Sequence, residues 1–186
     1  MEFNVLIGGE AGQGMFSVEL ELSEILSRLG FHFFATKNYM SRIRGGHNFH
    51  MIRISEKPVH ALGGRPWDMV VAMDSAETER RHRPSLREGG VFIGADRIRQ
   101  IEEEAKGSLQ DVTATSTILT GMILSFIGAE AAAAQAAAPD EAVRRALAKG
   151  WEFAARWGLA GRRALTPGAG DHCKLDGNQA LALGAL

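Results

Sequence analysis

The residues with the clearest chemical potential form a glycine-rich segment near the start of the sequence. The run from Gly8 to Gly14 reads Gly-Gly-Glu-Ala-Gly-Gln-Gly and follows the short apolar stretch Asn4–Ile7. Glycines in such a turn let the backbone approach a ligand closely, and the N–H groups that begin a following helix favour an anion such as phosphate. The same glycines are also compatible with a tight strand-to-helix turn that binds nothing.

A second segment combines cations with glycine. Between Glu24 and Glu56 the sequence has no acidic residue, although the chain as a whole is nearly balanced in charge. At the centre of this interval Arg42 and Arg44 precede Gly45-Gly46. Two guanidinium groups beside a glycine loop suit a multiply phosphorylated ligand, because each can donate paired hydrogen bonds to a phosphate. The alternative is a solvated basic loop without a ligand, and a nucleic-acid surface is the least favoured interpretation.

The glycine spacing argues against a dinucleotide site. Gly9, Gly12 and Gly14 run as G-x-x-G-x-G, whereas dinucleotide folds use G-x-G-x-x-G. Such folds also place Asp or Glu about 20 residues further on to hold a ribose, where this sequence has Ala35-Thr36-Lys37. A free-standing reductase that binds NADH or NADPH is therefore an alternative and not the first interpretation.

The pattern around these segments predicts the elements that hold them. Asn4–Ile7 is a strand, apolar residues from Phe16 to Leu29 recur at helical spacing, and Phe31–Thr36 is a second strand. In such a βαβ unit, both segments follow strands and open on the carboxyl edge of one sheet, where open α/β sheets bind ligands.

Later segments extend the same alternation. Phe49–Ser55 and Val59–Leu62 are predicted to pair as a hairpin, and Asp68–Met73 is predicted to be a buried strand. The remaining predicted elements are a helix, a short strand and a helical region, at Ser75–Arg83, Val91–Gly94 and Ser116–Gly158. The predicted fold class is α/β, with an open, mainly parallel, Rossmann-like sheet, helices on both faces and a helical C-terminal part.

Composition narrows the class of protein. The 186 residues contain 21 Lys and Arg against 22 Asp and Glu, a net charge of −1, and a single cysteine, Cys173. One cysteine cannot hold a four-cysteine iron–sulfur or zinc site, and a near-neutral chain has no global field that attracts nucleic acid or an acidic membrane. A cytoplasmic protein is expected, because the sequence has neither a basic leader nor a stretch apolar enough to span a bilayer.

Two boundaries are predicted towards the carboxyl terminus. Residues 1–158 form the main domain, and residues 159–174, rich in Gly, Arg and Pro without periodicity, form a linker. Residues 175–186 begin an apolar helix without a polar face, which predicts either a docking tail or the start of a further domain.

The two glycine-containing segments together resemble one family. The run Ile7–Gly14, followed by Tyr39, Arg44-Gly45-Gly46 and Arg53-Ile54-Ser55, is similar to the gamma subunit, or gamma domain, of the 2-oxoacid:ferredoxin (acceptor) oxidoreductases. The resemblance spans about residues 3 to 157, and residues 175–186 resemble the opening of the alpha domain. The resemblance implies the N-terminal part of a fused gamma-alpha chain of the 2-oxoglutarate or broader 2-oxoacid type.

The resemblance implies a component of an oxidoreductase rather than a complete enzyme. In that family a 2-oxoacid is oxidatively decarboxylated to an acyl-CoA with thiamine diphosphate, Mg and iron–sulfur clusters, and ferredoxin takes the electrons. This chain has no GDG…N motif of a thiamine site, so those groups are expected in alpha and beta partners. The implied role of the chain is to bind coenzyme A and cover the active site, without catalytic or metal-binding residues of its own.

The implied contacts to coenzyme A are carried over residue by residue. They belong to the glycine loop, residues 8–14, and to the basic segment, residues 39–47, and are Gly9, Gly12, Gln13, Gly14, Arg42, Arg44, Gly45 and Gly46. The loop residues would approach the nucleotide end, and the basic segment would meet its phosphates. The family's G-x-G-G-Q-G has Ala11 in place of one glycine here. A pure assembly module that binds no ligand is the other alternative.

Three of the six histidines bear on a possible metal site. His47 and His50 are three residues apart and would face opposite sides of an extended segment, which argues against metal binding there. His82 lies within Arg80-Arg81-His82-Arg83 and is predicted on an exposed helix face.

Overall fold

A five-stranded sheet organises the part of the chain that the structure describes. The structure, a computed structural model, describes residues 1–40, 46–61, 66–73, 76–108, 114–168, 174–175, 179 and 182. The strands are β1 (Glu2–Gly9), β2 (His32–Asn38), β3 (Asn48–Ser55), β4 (Trp67–Ala72) and β5 (Leu86–Ile93), in the spatial order β2-β3-β1-β4-β5. β4 is parallel to β1 and β5, whereas β3 is antiparallel to β1 and β2. Four strands share one direction, which confirms the predicted open, mainly parallel sheet.

The predicted hairpin between Phe49–Ser55 and Val59–Leu62 is wrong. β3 pairs along its length with β1 on one side and β2 on the other, so that Ile52 lies opposite both Val5 and Ala35. Both edges of β3 are therefore occupied, and residues 59–61 are not in a strand. β1 and β2 are parallel, as the βαβ prediction requires, but they are separated by β3.

Six α-helices and a short 3₁₀ helix (Arg83–Ser85) accompany the sheet in the described ranges. The α-helices are α1 (Met15–Arg28), α2 (Ala76–His82), α3 (Ala95–Ser108), α4 (Ala114–Phe126), α5 (Ala131–Ala136) and α6 (Glu141–Arg156). The ring of Phe3 in β1 lies 5.0 Å from that of Phe126 in α4, on the face that carries the main core. Thr78 of α2 lies against Gly8 on the other face. The predicted helices on both faces and the helical C-terminal part are confirmed.

The sequence analysis missed α3. Ile98, Ile101 and Ala105 repeat at helical spacing and are buried in the core, so the signal was present in the sequence. Each turn of α3 contributes only about one apolar residue to the core, so the many polar residues of this helix concealed the helical pattern. Among the described residues, no helix has the length and apolar character needed to cross a membrane.

Residues 159–168, which we call the C-terminal strap, are fixed to the body of the protein. The backbone N–H groups of Gly161 and Leu165 donate to the carbonyls of Ser125 and Ile127 at 2.8 Å. Further along, the N–H of Gly168 donates to the carbonyl of Gly30 at 2.8 Å. The strap therefore packs on the main domain. A domain-connecting role for residues 159–174 and a second domain from residue 175 stay predictions.

Candidate functional site

The glycine loop joins β1 to α1 at the carboxyl edge of the sheet. β1 ends at Gly9 and α1 begins at Met15. Gly12 and Gly14 have φ values of 91° and 92°, which belong to the left-handed region that glycine adopts without strain. Gly14 is the N-cap of α1, and no side chain caps the first turn. The backbone N–H groups of that turn are therefore available to an anion.

Two of the predicted ligand contacts, Gly9 and Gln13, have a structural part in holding the loop together. Oε1 of Gln13 accepts a hydrogen bond from the backbone N–H of Glu10 at 2.7 Å. A Cβ on Gly9 would lie 2.5 Å from that same Oε1 and 2.9 Å from Cβ of Met73. Gly9 is thus needed for the loop to close on the Gln13 side chain, and the amide oxygen of Gln13 faces the loop itself.

Gly14 brings the loop against α4. A Cβ at this position would lie 2.5 Å from Oγ of Ser116, and that hydroxyl donates a long hydrogen bond, 3.4 Å, to the carbonyl of Gly14. By contrast, a Cβ on Gly12 would meet nothing within 4 Å. A side chain at position 12 would therefore project into open space.

The basic segment leaves β2 and re-enters the sheet through β3. Its two ends are tied together, because the backbone N–H of Met40 donates to Oδ1 of Asn48 at 3.2 Å. Gly46 has φ 115°, so this turn uses the freedom of glycine. The remaining predicted contacts, Arg42, Arg44 and Gly45, lie outside the described residues.

A cavity of about 290 Å³ lies between the two segments. Its wall comes from the glycine loop, the first turn of α1, the end of β2 and the start of β3, namely Ala11, Gly12, Gly14, Met15, Phe16, Ser17, Tyr39, Asn48 and His50. Asn48 lies opposite Gly9 in the β1–β3 pairing, which is why the two segments meet here. Of the predicted contacts, Gly12 and Gly14 line the cavity, whereas Gly9, Gln13 and Gly46 are not among its lining residues.

Glu19 of α1 faces two basic side chains, one of which lines the cavity. Oε2 of Glu19 lies 3.0 Å from Nδ1 of His50 and 3.1 Å from Nζ of Lys37. The two basic side chains therefore face the same carboxylate oxygen. Burial alone would raise the pKa of Glu19, but the His50 imidazole and the Lys37 ammonium outweigh it and hold the pKa below its ordinary value. Glu19 is therefore a carboxylate at neutral pH.

Aromatic and polar side chains of the wall were not found by sequence reasoning. His50 is 1% exposed, and the ring of Tyr39 meets it edge-on with centroids 5.9 Å apart. Nζ of Lys37 lies 4.3 Å above the ring of Phe16. The available signal was the alternation Asn48, His50, Ile52 along β3, which puts polar residues at the ligand-facing end of a face that is otherwise core.

The fold and this cavity define an open-sheet α/β domain with its ligand cleft at the carboxyl edge of the strands. The sequence profile described as "pyruvate ferredoxin/flavodoxin oxidoreductase" matches residues 4–156, which is most of the chain. The chain therefore belongs to the pyruvate ferredoxin/flavodoxin oxidoreductase family, and the predicted family is confirmed.

Known relatives are larger proteins or separate subunits. The chain is 28% identical, over 93 residues, to the alpha subunit of 2-oxoacid:ferredoxin oxidoreductase 2 from Aeropyrum pernix. This alignment covers 50% of the chain but 14% of the relative. The chain thus spans a small part of the curated relative that it matches.

Two solved structures have the same fold. One is a 2-oxoglutarate:ferredoxin oxidoreductase from Magnetococcus marinus, with 2-oxoglutarate, coenzyme A and succinyl-CoA bound, at a TM-score of 0.70 and 14% identity. That match covers 91% of this chain and 34% of the other. The second is the gamma subunit of a keto/oxoacid ferredoxin oxidoreductase from Geobacter sulfurreducens PCA, at a TM-score of 0.66 and 21% identity. It covers 84% of this chain and 98% of that subunit.

Proposed function

We propose that this chain is the gamma component of a thiamine diphosphate-dependent 2-oxoacid:ferredoxin oxidoreductase, where it binds coenzyme A and covers the active site. The observation that carries the proposal is the cavity between the glycine loop and the ends of the basic segment. It offers uncapped N–H groups at the start of α1 and an open approach over Gly12. A carrier with a pyrophosphate group matches that chemistry, because its anionic end is recognised by backbone amides and guanidinium groups.

Each predicted residue has a distinct part in this proposal. Gly12 and Gly14 let the backbone of the loop approach the nucleotide end, while Gly9 and Gln13 keep the loop closed. Arg42 and Arg44, with Gly45-Gly46, would meet the phosphates. The chain supplies binding and orientation, and no residue of it is assigned a bond-breaking role.

The rest of the reaction is assigned to companion chains or domains. Thiamine diphosphate, Mg and iron–sulfur clusters belong in the alpha and beta components, and ferredoxin takes the electrons from the assembled complex. Thiamine diphosphate supplies the carbanion chemistry that decarboxylation requires. In this proposal residues 1–158 are the gamma domain, 159–174 connect it to its neighbour, and 175–186 begin an alpha domain. The cytoplasm is the proposed location.

Calorimetry with coenzyme A tests the binding role. The unmodified chain is expected to bind coenzyme A, and the double variant Arg42→Ala/Arg44→Ala is expected to bind at least about tenfold more weakly, because each guanidinium loses charge-assisted hydrogen bonds to phosphate. The matched control is Arg99→Ala/Arg145→Ala, which removes two exposed arginines from α3 and α6 and should leave the affinity unchanged.

Three outcomes would contradict the proposal. Equal affinity of the double variant and the unmodified chain would remove the basic segment from the site. Tighter binding of NADH or NADPH than of coenzyme A would favour the free-standing reductase. Turnover of a 2-oxoacid with ferredoxin by this chain alone would show that it is not a component.

A pure assembly module is the second candidate function, and a set of exposed apolar side chains favours it. Phe16, Leu20, Tyr39 and Met40 are 40–61% exposed although they are large and apolar, and such patches mark protein interfaces. Tight association with an alpha or beta chain, combined with no affinity for coenzyme A, would favour this function over the first.

A further inference from the structure

Two imidazoles meet on the face of the sheet opposite to the cavity. Nε2 of His47, the residue before β3, lies 2.8 Å from Nε2 of His82, the last residue of α2. The ring centroids are 5.0 Å apart, so the two nitrogens lie between the rings and face each other. His82 is half-buried. The prediction of an exposed helix face for His82 is therefore wrong, because α2 turns this residue towards the sheet.

The pair is enclosed by side chains that fix its geometry. The ring of Phe49 lies 5.4 Å from the ring of His47 and 4.7 Å from that of His82, measured between centroids. On the other side of His47, its Nδ1 is 3.4 Å from Oγ1 of Thr78. His47 is 4% exposed, and a buried polar group that loses its hydrogen bond is costly. The imidazole pair is therefore a specific contact between α2 and the entry to β3.

Gly8 makes this contact possible. A Cβ on Gly8 would lie 2.5 Å from Oγ1 of Thr78 and 3.1 Å from Cε1 of His47. The missing side chain lets α2 and the His47 ring approach the strand that ends in the glycine loop. The end of β1, the residue before β3 and helix α2 therefore meet at Gly8, where the glycine loop begins.

The same stretch of backbone carries the wall of the cavity on the opposite face. Asn48, directly after His47, lies opposite Gly9 and accepts the hydrogen bond from Met40 that closes the basic segment. Its neighbour two residues on, His50, lines the cavity and pairs with Glu19. His47 and Asn48 are covalent neighbours, so the position of the His47 backbone restricts where Asn48 can lie.

We propose that His82 is a positioning residue for the cavity. Through its hydrogen bond to His47 it fixes the place at which the basic segment re-enters the sheet, and so it sets Asn48 and the segment's end beside the glycine loop. This inference rests on the proposed function where it concerns coenzyme A. His82 itself lies on the far face and touches no ligand.

Three variants of the full chain test the inference. His82→Leu fills part of the space of the ring but cannot hydrogen-bond, whereas His82→Gln places an amide where it can still donate to or accept from His47. The matched control is His60→Leu at an exposed histidine of the segment after β3. Thermal melting of each variant establishes that it is folded.

Amide hydrogen exchange of residues 46–50 and coenzyme A affinity are the two measurements. His82→Leu is expected to accelerate exchange and weaken coenzyme A binding, each about five- to tenfold, because the segment opens locally without the bond. His82→Gln is expected to restore both to within about twofold, and His60→Leu is expected to leave both unchanged.

The outcomes separate this inference from the proposed function. If the unmodified chain fails to bind coenzyme A but the exchange rates follow the expected order, the proposed function is wrong and the positioning of the segment by His82 stands. If coenzyme A binds and His82→Leu leaves exchange and affinity unchanged, the positioning role is overturned. If His82→Gln behaves like His82→Leu, ring packing against Phe49 is responsible and the hydrogen-bond role is overturned.

Discussion

Two glutamates of α1, two residues apart, occupy opposite electrostatic environments. Glu19 faces His50 and Lys37, which hold its pKa below the ordinary value against the effect of burial. Glu21 faces α4, where burial raises its pKa although the hydroxyls of Thr117 and Thr120 donate to it at 2.9 and 3.4 Å. The side chains across from each carboxylate, and not its position in the helix, decide which charge state the fold favours.

The opposite pKa shifts of Glu19 and Glu21 predict opposite effects of Glu→Gln substitution on stability. Because the folded-state pKa of Glu19 is lowered, its charge stabilises the protein above its unfolded pKa, and that stability is lost as pH falls through the folded pKa. Glu19→Gln should therefore lower the free energy of unfolding by about 1 kcal/mol at pH 7, with the difference from the unmodified chain vanishing in acid. Urea unfolding between about pH 3 and pH 7 measures it.

Glu21→Gln is the matched control for this prediction. Because the folded-state pKa of Glu21 is above the ordinary value, its negative charge destabilises the fold, and protonation at lower pH removes that cost. The Gln side chain of the variant carries no charge at any pH. Glu21→Gln is expected to be neutral or stabilising at pH 7. Loss of stability of the same size in both variants would contradict the assigned environments.

At the scale of elements, the contact between α4 and α6 depends on two glycines. α4 is buried along nearly its whole length, and α6 crosses it where Gly121 and Gly150 meet. A Cβ on Gly150 would lie 2.7 Å from Cα of Gly121 and would also clash with the carbonyl of Ile118. The helices are therefore close enough that backbone packs on backbone.

This close crossing decides between two effects of Gly150→Ala. Helix propensity alone favours alanine by about 1 kcal/mol, whereas overpacking of a core costs about 1–3 kcal/mol. Because the clash is with backbone atoms that cannot rotate away, we expect a net loss of about 2 kcal/mol in the free energy of unfolding. Thermal or urea unfolding measures it.

Gly158→Ala provides the comparison. Gly158 has φ 63° and its Cβ would meet nothing within 4 Å, so that substitution tests backbone strain without a clash and should cost about 1 kcal/mol. A Gly150→Ala variant more stable than the unmodified chain would mean that the two helices can separate freely.

At the scale of the whole molecule, the C-terminal strap links the end of α4 to the start of β4. The start of β4 lies at the end of the sheet away from the cavity. Asp68, at the start of β4, is fully buried, and its Oδ2 accepts from the N–H of Asn4 at 2.8 Å. Its Oδ1 lies 3.0 Å from Nε of Arg87 and 3.3 Å from Nε of Arg163. Burial nevertheless raises the pKa of Asp68, and the Asn4 N–H and the two guanidinium groups only partly offset it.

Arg163→Ala is expected to destabilise the protein through Asp68. The buried carboxylate would keep a single cation, and loss of one partner of a buried charge is costly. Because Arg87 remains and Arg163 is partly exposed, we expect a loss of about 1–2 kcal/mol in the free energy of unfolding. Arg162→Ala, an exposed neighbour in the same strap, is the control. Equal effects of the two variants would show that the strap contributes backbone contacts only.

The sequence by itself determined the strand, the glycine turn and the helix beside the cavity. Gly12 and Gly14 required a turn that only glycine adopts easily, and the apolar run before them required a buried strand, so strand, loop and helix followed from neighbouring residues. The motif around Gly9–Gly14 and Arg44–Gly46 also carried the family, which the match over residues 4–156 confirms.

Tertiary structure alone decided the pairings between distant residues. β3 separates β1 from β2 because its two edges pair with residues 39 to 53 and 11 to 23 positions away in sequence, and local periodicity does not encode such pairings. In the same way, Glu19 meets His50 and His47 meets His82 only once α1 and α2 lie on opposite faces of the sheet. Spacing along the chain fixes what a segment can form, but the partner of a side chain depends on which elements the fold brings beside it.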